Sequence, residues 1–399
     1  MKARLNVLAF TSLFRTPNEK VRAPFTSEFL RALQEFADVT LVSPIPWTPD
    51  TAMTRSRPEW NRYVGVPHSD TVDGVRVHYP RYLMVPKLSG VLQPVLQAAG
   101  AWSVVRSLHG ARRFDVVNGR FIYPDGVAAT LLARRIDVPV TLTALGTDVN
   151  VYAVQPFKRA QTVWALRRAA HVTAVSADLA DRIAALGIDR SKITLAANGI
   201  DLARFRPDGP RRTSPGSASS LSGKTLLCVA RLSQEKGLHV LVDALAVLEQ
   251  SSRCNFKTVL LGDGPERTSL EARVAALGLG SKVQFAGEVD HNEVPVWMRG
   301  AFGFCLPSFR EGTPNVVIEA LASGLPVVAT RVGGTPLLVN SNNGLLVEPG
   351  QSLALADALV SMMSRNWNRD DIRASVAHMS WQTEARNHFA LFDRVAHSA

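Results

Sequence analysis

Two glutamates eight residues apart, Glu311 and Glu319, flank the small-residue turn Gly312-Thr313-Pro314-Asn315, and an apolar helical run follows. Carboxylates so placed are natural acceptors for the hydroxyls of a sugar. The turn between them leaves the N–H groups of a helix start, and the positive end of its dipole, open to an anion such as a phosphate. A second pair, Arg231 and Lys236, lies in Arg231-Leu232-Ser233-Gln234-Glu235-Lys236-Gly237 behind another apolar run. Fixed cations are what a diphosphate leaving group needs while negative charge develops on it. Either pair alone is ordinary surface charge. Together they describe a site for a ligand that carries both phosphates and hydroxyls.

The elements that hold these side chains are legible around them. The run Phe302–Leu306, closed by Pro307, reads as a buried strand, and Val316–Ala322 reads as a helix stopped by Gly324 and Pro326. Glu311 then lies in a loop at a strand's carboxyl end and Glu319 about two turns into the helix. Thr225–Ala230 followed by Leu238–Leu248 repeats the order around Arg231 and Lys236. In an open parallel sheet that carboxyl edge is the ligand side.

The segments VARLSQEKG at 229–237, LLGDGPE at 260–266 and PSFREGTPNVVIEALASGLPVVATRVGG at 307–334 together resemble the retaining glycosyltransferases of family 4. The resemblance implies an α/β GT-B fold, two doubly wound Rossmann-like domains facing a cleft. It implies that Arg231 and Lys236 bind a donor diphosphate, that Glu311 meets the donor sugar and that Glu319 meets the nucleotide ribose. Those first three are the expected catalytic residues. Gly262, Gly264, Gly312, Thr313, Pro314 and Asn315 are expected around the donor, although a Gly-Asp-Gly turn is also common loop chemistry. The amino-terminal half is similar to bacterial polysaccharide-assembly members, teichuronic-acid-type transferases included, in Tyr123-Pro124-Asp125-Gly126-Val127-Ala128-Ala129, Gly146-Thr147-Asp148-Val149-Asn150, SPIPW at 43–47 and HYPRYLMVPK at 78–87.

The implied reaction moves a sugar from a nucleoside diphosphate sugar to a hydroxyl of a saccharide or lipid-linked acceptor, with retained anomeric configuration. Retaining glycosidases place two carboxylates about 5 Å apart as nucleophile and acid/base. The resemblance implies another route, in which the departing phosphate deprotonates the acceptor. Two departures stand out. Leu145 occupies the place before the Gly-x-Asp turn where many relatives have His, and Leu337 stands where relatives usually place Glu, which implies altered packing there. Asp148 either orients a sugar or acceptor hydroxyl or holds its own turn; both readings stand at this point.

Composition bounds the alternatives. A chain of 399 residues, 46% hydrophobic, can bury the cores of two domains. Three cysteines without CxxC spacing favour a reduced, cytoplasmic protein. The start reads as a first strand rather than a signal segment, and no apolar stretch reaches the ~18 residues of a membrane span. Net charge +11 calls for an anionic partner, yet no nucleic-acid motif accompanies it. No metal-ligand spacing and no GxGxxG fingerprint occur, so neither a metal nor another cofactor is expected. Residues 91–113 set Leu92, Val95, Leu96, Ala99, Trp102 and Val105 at helical spacing with Arg106, Arg112 and Arg113, interrupted by Pro94 and Gly100. Such a stripe is more often core, and its rival reading is an anionic membrane surface, which would make the protein peripheral on the inner face of the cell membrane.

Strands alternate with helical stretches over 1–205, an acceptor-side domain by the resemblance. The run RPDGPRRTSPGSASSLSG at 206–223 reads as the linker and domain boundary. A second alternating set over 224–378 is the nucleotide-sugar domain, with strands near 225–230, 256–261, 282–286, 302–306 and 326–329. The last segment, 379–399, reads as a helix crossing back to the first domain, with Trp381, Ala385, Phe389 and Phe392 on one face. Two other functions compete: a non-catalytic or partner-dependent sugar-nucleotide-binding subunit, motivated by Leu145 and Leu337, and a phosphorylase or epimerase of the same architecture. The intact Arg231, Lys236, Glu311 and Glu319 oppose the first, and this motif set opposes the second.

Overall fold

The computed structural model describes residues 4–19, 24–72, 74–84, 90–196, 198–210, 224–252 and 256–398. They form two units, one of Met1–Gly199 with Trp381–Ala399 and the other of Ile200–Ser380.

The first unit holds strands β1 (Asn6–Phe10), β2 (Asp38–Val42), β3 (Ile45–Pro46), β4 (Ser69–Val72), β5 (Val75–His78), β6 (Arg81–Tyr82), β7 (Val116–Arg120), β8 (Val140–Ala144), β9 (His171–Ala174) and β10 (Ile193–Leu195). Eight of them make one sheet in the order β10-β9-β8-β7-β1-β2-β5-β4, and β3 pairs with β6 in a small ribbon. Every pair in the large sheet is parallel except β4 with β5. Strands β1, β7 and β8 are buried at every position, as strands covered by helices on both faces must be. The helix Trp381–His397 belongs to this unit and packs against the helix Pro24–Leu33, with Trp381 and Phe29 in edge contact at 6.5 Å. Its buried face carries His388 and Leu391 beside Trp381, Ala385 and Phe392.

The helix Gln93–Ala111 corrects the expected stripe. Its buried face is Pro94, Gln97, Ala98, Ala101 and Val105, while Leu92, Val95 and Ala99 point outward. Gly100 does not break the helix. A Cβ there would overlap the Arg81 carbonyl oxygen, so the glycine lets β6 lie against the helix.

The second unit holds β11 (Lys224–Val229), β12 (Phe256–Leu261), β13 (Val283–Gly287), β14 (Gly303–Leu306), β15 (Val327–Thr330) and β16 (Gly344–Val347). They form a parallel sheet in the order β13-β12-β11-β14-β15-β16. The edge strand β16, only half-buried over Leu345–Val347, has no apolar run long enough to announce it in the sequence.

By contacts the units divide at Gly199/Ile200, just ahead of the expected linker 206–223, of which 211–223 lie outside the described residues. Arg373 donates to the carbonyls of Leu202 and Phe205, both in the amino-terminal arm of the second unit, at 2.7 and 2.6 Å, and to Ala322 at 2.7 Å. Arg299 donates to Pro210 at 2.6 Å. These long-range bonds draw residues 200–210, polar as they read, into the second unit.

Candidate active site

In the second unit the chain moves outward from β11 to β12 and β13, then returns beside β11 with β14 and runs the other way. Such a reversal opens a crevice between the carboxyl ends of the two central strands. Arg231 and Lys236 follow β11 and Glu311 follows β14, so the fold brings both sequence signals to that crevice. Lys236 Nζ donates to Glu311 Oε1 at 2.7 Å, and Ser308 Oγ donates to the same oxygen at 2.6 Å. The Glu311 side chain is 8% exposed and that of Lys236 24%. The carboxylate is thus held in place and its charge offset, a poor arrangement for a nucleophile and a good one for orienting a hydroxyl. Arg231 is exposed, and its guanidinium makes no ion pair among the described residues.

Backbone contacts fix the two loops to each other. Phe309 N donates to the Glu235 carbonyl at 2.8 Å, and His239 and Phe309 stack with ring centroids 5.6 Å apart. Gly237 sits at φ 62°, and a Cβ there would overlap the Pro307 carbonyl oxygen. Gly262 and Gly264 do the same on the far side. Added Cβ atoms would overlap the carbonyl oxygens of Ala230 and Leu232, while Leu232 N donates to Asp263 at 3.0 Å and Glu266 N to Leu232 at 2.9 Å. These glycines seat the loop that carries Arg231. Gly312, by contrast, would have nothing within 4 Å of an added Cβ, so its backbone is open to a ligand.

Sequence reasoning misses Gly333 and Gly334 as parts of the site. Gly333, at φ 52°, lies directly under the Glu311 carbonyl, and Gly334 N donates to the Gly312 carbonyl at 2.6 Å. The paired glycines after β15 are the available signal. Leu337 is 73% exposed, so the expected altered packing around it is absent; its side chain faces solvent.

Pro314 caps the helix Asn315–Ala322, whose ladder begins with Val317 N donating to Pro314 at 2.9 Å. The N–H groups of Asn315 and Val316 precede that ladder. Thr313 is half-buried, and its Oγ1 borders Gly334. Glu319 is 9% exposed, with Oε1 3.6 Å from His291 Nε2. Burial first, then the charge of Arg204, pushes the His291 imidazole down to about 4, so at neutral pH it meets Glu319 uncharged. His291 lies beyond β13, three strands from β14 in the sheet, and no motif marks it.

In the first unit Asp148 is fully buried. It accepts from the N–H groups of Ile122 at 2.8 Å, Gly146 at 2.7 Å, Leu145 at 3.2 Å and Val149 at 3.1 Å. With its oxygens saturated by backbone and shut away from solvent, Asp148 holds its turn and the hydroxyl-contact reading is corrected. Leu145 is half-buried against the core behind it.

The first sheet reverses between β1 and β7, and another buried carboxylate, Asp125, sits there. It accepts from Ser12 N at 2.6 Å, Ser12 Oγ at 2.9 Å, Thr11 Oγ1 at 3.1 Å and Gln97 Nε2 at 3.1 Å, clamping the loop after β1. Burial pushes its carboxyl up to about 6 against those hydrogen bonds. A carboxyl raised above its unfolded value favours the folded state when protonated. That contribution is full below about pH 4 and is lost as pH rises through 6, on the order of 3 kcal/mol at most. Asp125→Asn is expected to flatten the dependence of Tm on pH between 4 and 6.5. The amide has a ready acceptor, because Gln97 Oε1 is buried without a partner. An unchanged slope in a pH series of melting curves would contradict this.

Comparison with known proteins also divides the chain in two, with the break between residues 204 and 223. Residues 18–204 match the family described as Glycosyltransferase Family 4, and residues 223–365 match that described as Glycosyl transferases group 1. TuaC of Bacillus subtilis (strain 168), described as a teichuronic acid biosynthesis glycosyltransferase, is 31% identical over 367 residues, 89% of this chain and 88% of TuaC. The D-inositol 3-phosphate glycosyltransferase of Jonesia denitrificans is 30% identical over 70% of this chain and 72% of its own. Among solved structures, the sucrose-phosphate synthase of Thermosynechococcus elongatus superposes with a TM-score of 0.75 at 19% identity, covering 99% of this chain and 100% of its own. HepE of Anabaena, solved with UDP and glucose, gives 0.63 at 20% identity and covers 99% of both chains. These likenesses establish two Rossmann-like domains of the GT-B type.

Proposed function

This chain belongs to glycosyltransferase family 4, and we propose that it moves a hexosyl group from a nucleoside diphosphate sugar to an acceptor hydroxyl with retained configuration, in the assembly of a bacterial surface polysaccharide. The observation that carries this reading is the Lys236–Glu311 contact at the reversal point of the second sheet, with the exposed Arg231 beside it.

Arg231 and Lys236 offset the charge that develops on the diphosphate, and the open backbone at Gly312 with the first-turn N–H groups of Asn315 and Val316 receives the remaining phosphate oxygens. Glu311, held by Lys236 and Ser308, orients a sugar hydroxyl, and Glu319 with the neutral His291 accepts from and donates to the ribose hydroxyls. The anomeric carbon breaks its bond to the phosphate oxygen and forms one to the acceptor oxygen on the same face. The departing phosphate takes the acceptor proton. UDP in the HepE structure supports a nucleotide donor, and the name of TuaC supports a role in polysaccharide assembly; the acceptor is proposed to be a saccharide or lipid-linked saccharide. No other cofactor takes part.

Turnover of UDP-, GDP- and ADP-hexoses, followed by nucleotide release and by NMR of the anomeric proton of the product, tests the proposal. Retained configuration with one donor class supports it, and inversion overturns the stereochemical half. Glu319→Gln is expected to raise KM for that donor about tenfold, as loss of a charge-assisted hydrogen bond to a hydroxyl does, with kcat little altered. A fall in kcat at constant KM would move Glu319 from the ribose to the reacting sugar.

A further inference from the structure

Strand β7 ends on a buried cation. Arg120 is its last residue and 2% exposed, at the carboxyl edge and beside β1, where the first sheet reverses. An open sheet takes ligands at such a point. Arg120 shares a strand face with Val116, which packs with Phe29, Ala385 and Phe392. Its guanidinium lies over the Phe29 ring, 4.1 Å from the centroid, which fixes it against the helix Pro24–Leu33.

Nothing offsets that charge. Arg120 Nε and Nη1 are shut away from solvent and make no hydrogen bond. No carboxylate pairs with the guanidinium among the described residues, and burial alone pulls it down to about 9. Asp125, at the same reversal, is held by Gln97 on the opposite face of the sheet. Glu384, one turn before His388 in the helix Trp381–His397, has its own unpartnered Oε2 and does not pair with Arg120. A buried cation whose donors are left unpaired is costly to the fold alone, and a group arriving from outside can complete it.

Two more polar side chains around Phe29 are unpaired in the same way. Thr26 is fully buried, one helical turn before Phe29 and therefore nearer the edge, and its Oγ1 has no partner. His388 is 5% exposed, with its ring centroid 4.7 Å from that of Phe29. Its Nδ1 donates to the Glu384 carbonyl at 2.9 Å, which leaves Nε2 as an unpartnered acceptor. Burial, then the charge of Arg120, pushes the imidazole down to about 4, so at neutral pH it is uncharged. The helix Pro24–Leu33 follows β1 and so begins at this edge, with no acidic residue in its first turn and the positive end of its dipole outward.

Two guanidinium N–H groups, a hydroxyl and a helix start are the donor set that binds an oxyanion. One acceptor among them, His388 Nε2, suits a hydroxyl carried next to that anion. We propose that Arg120 and Thr26, with the first turn of the helix Pro24–Leu33, bind a carboxylate or phosphate on the acceptor, so that the enzyme selects an anionic saccharide. That the anion belongs to the acceptor rests on the proposed function; the anion site itself does not.

Titration calorimetry of the full chain with inorganic phosphate, glucose 1-phosphate, glucuronate and glucose tests it. Each is run on the wild type, on Arg231→Ala/Lys236→Ala, on Arg120→Met and on Thr26→Val. At least one of the three anions is expected to bind about tenfold or more tightly than glucose, in the wild type and in Arg231→Ala/Lys236→Ala alike. A preference for glucuronate assigns a carboxylate, and a preference for the phosphates assigns a phosphate. Arg120→Met is expected to lose at least about tenfold in that affinity and to melt no lower than the wild type, because it removes a buried charge without a partner. Thr26→Val keeps the shape of the side chain and is expected to lose about fivefold; it decides the matter if Arg120→Met melts lower. UDP is expected to bind both variants as it binds the wild type. A chain that holds an anion through Arg120 but never UDP would fail the proposed function and keep this site. No anion bound by Arg231→Ala/Lys236→Ala, glucose bound as tightly, or affinity untouched by both Arg120→Met and Thr26→Val would each overturn the proposal.

Discussion

Arg231→Ala is expected to lower kcat by about 100- to 1,000-fold with a much smaller change in the KM for donor, because a cation that meets developing charge acts mainly in the transition state. The melting temperature should not move, since Arg231 is exposed and its guanidinium has no ion pair among the described residues to lose. Lys236→Ala should lower kcat as far and should also destabilise the fold. It leaves the Glu311 carboxylate, 8% exposed, with Ser308 alone, and a nearly buried charge that loses its partner costs about 3 kcal/mol. The contrast separates the roles: one cation is poised for ligand alone, while the other also organises the site before any ligand arrives. Steady-state kinetics with melting curves on both variants checks it. Equal loss of kcat and donor affinity in Arg231→Ala would place the cation in ground-state binding instead.

The second large effect comes from a residue without a functional group. Gly333→Ala is expected to abolish at least about 99% of turnover, because the added Cβ falls on the Glu311 carbonyl and the backbone is at φ 52°. A non-glycine residue there strains the chain, and the clash can be relieved only by moving the loop that bears Glu311, where displacement of about 1 Å costs on the order of 100-fold. Gly312→Ala is the control, since nothing lies within 4 Å of its added Cβ in the protein itself. That variant should melt as the wild type does and lose donor affinity. If Gly333→Ala retained more than roughly a tenth of wild-type turnover, the Gly333–Glu311 contact would not be positioning the carboxylate.

Much of this site can be read from local pattern, because strand, turn and helix follow each other within a few residues around both Arg231–Lys236 and Glu311–Glu319. What cannot be read is the geometry that joins them. Lys236 and Glu311 are 75 residues apart in sequence, and their contact exists because β14 returns beside β11. The glycines show the same limit. At Gly262 and Gly264 the space a side chain would fill is taken by the protein's own backbone, a reason for glycine that no local pattern shows. His291 faces Glu319 through tertiary packing alone. Asp148 has the composition of a sugar contact and of a turn cap, and its four N–H donors decide for the turn. The composition of 206–223 reports solvation of the segment, whereas the contact boundary at Gly199/Ile200 lies ahead of it because Arg373 and Arg299 anchor Leu202, Phe205 and Pro210 to the second unit.

The most direct test is thermal unfolding of wild type and of Arg231→Ala/Lys236→Ala with UDP, GDP, ADP and CMP, each at a concentration roughly 100 times the expected dissociation constant. A ligand that binds only the folded state then adds roughly 2.7 kcal/mol. The account predicts that one nucleoside diphosphate stabilises the wild type, that CMP does not, and that the double variant responds to none. Stabilisation of both proteins by the same nucleotide would mean that the diphosphate sits elsewhere, and no response from the wild type to any of the four would contradict a nucleotide-sugar donor site at Arg231, Lys236 and Glu311.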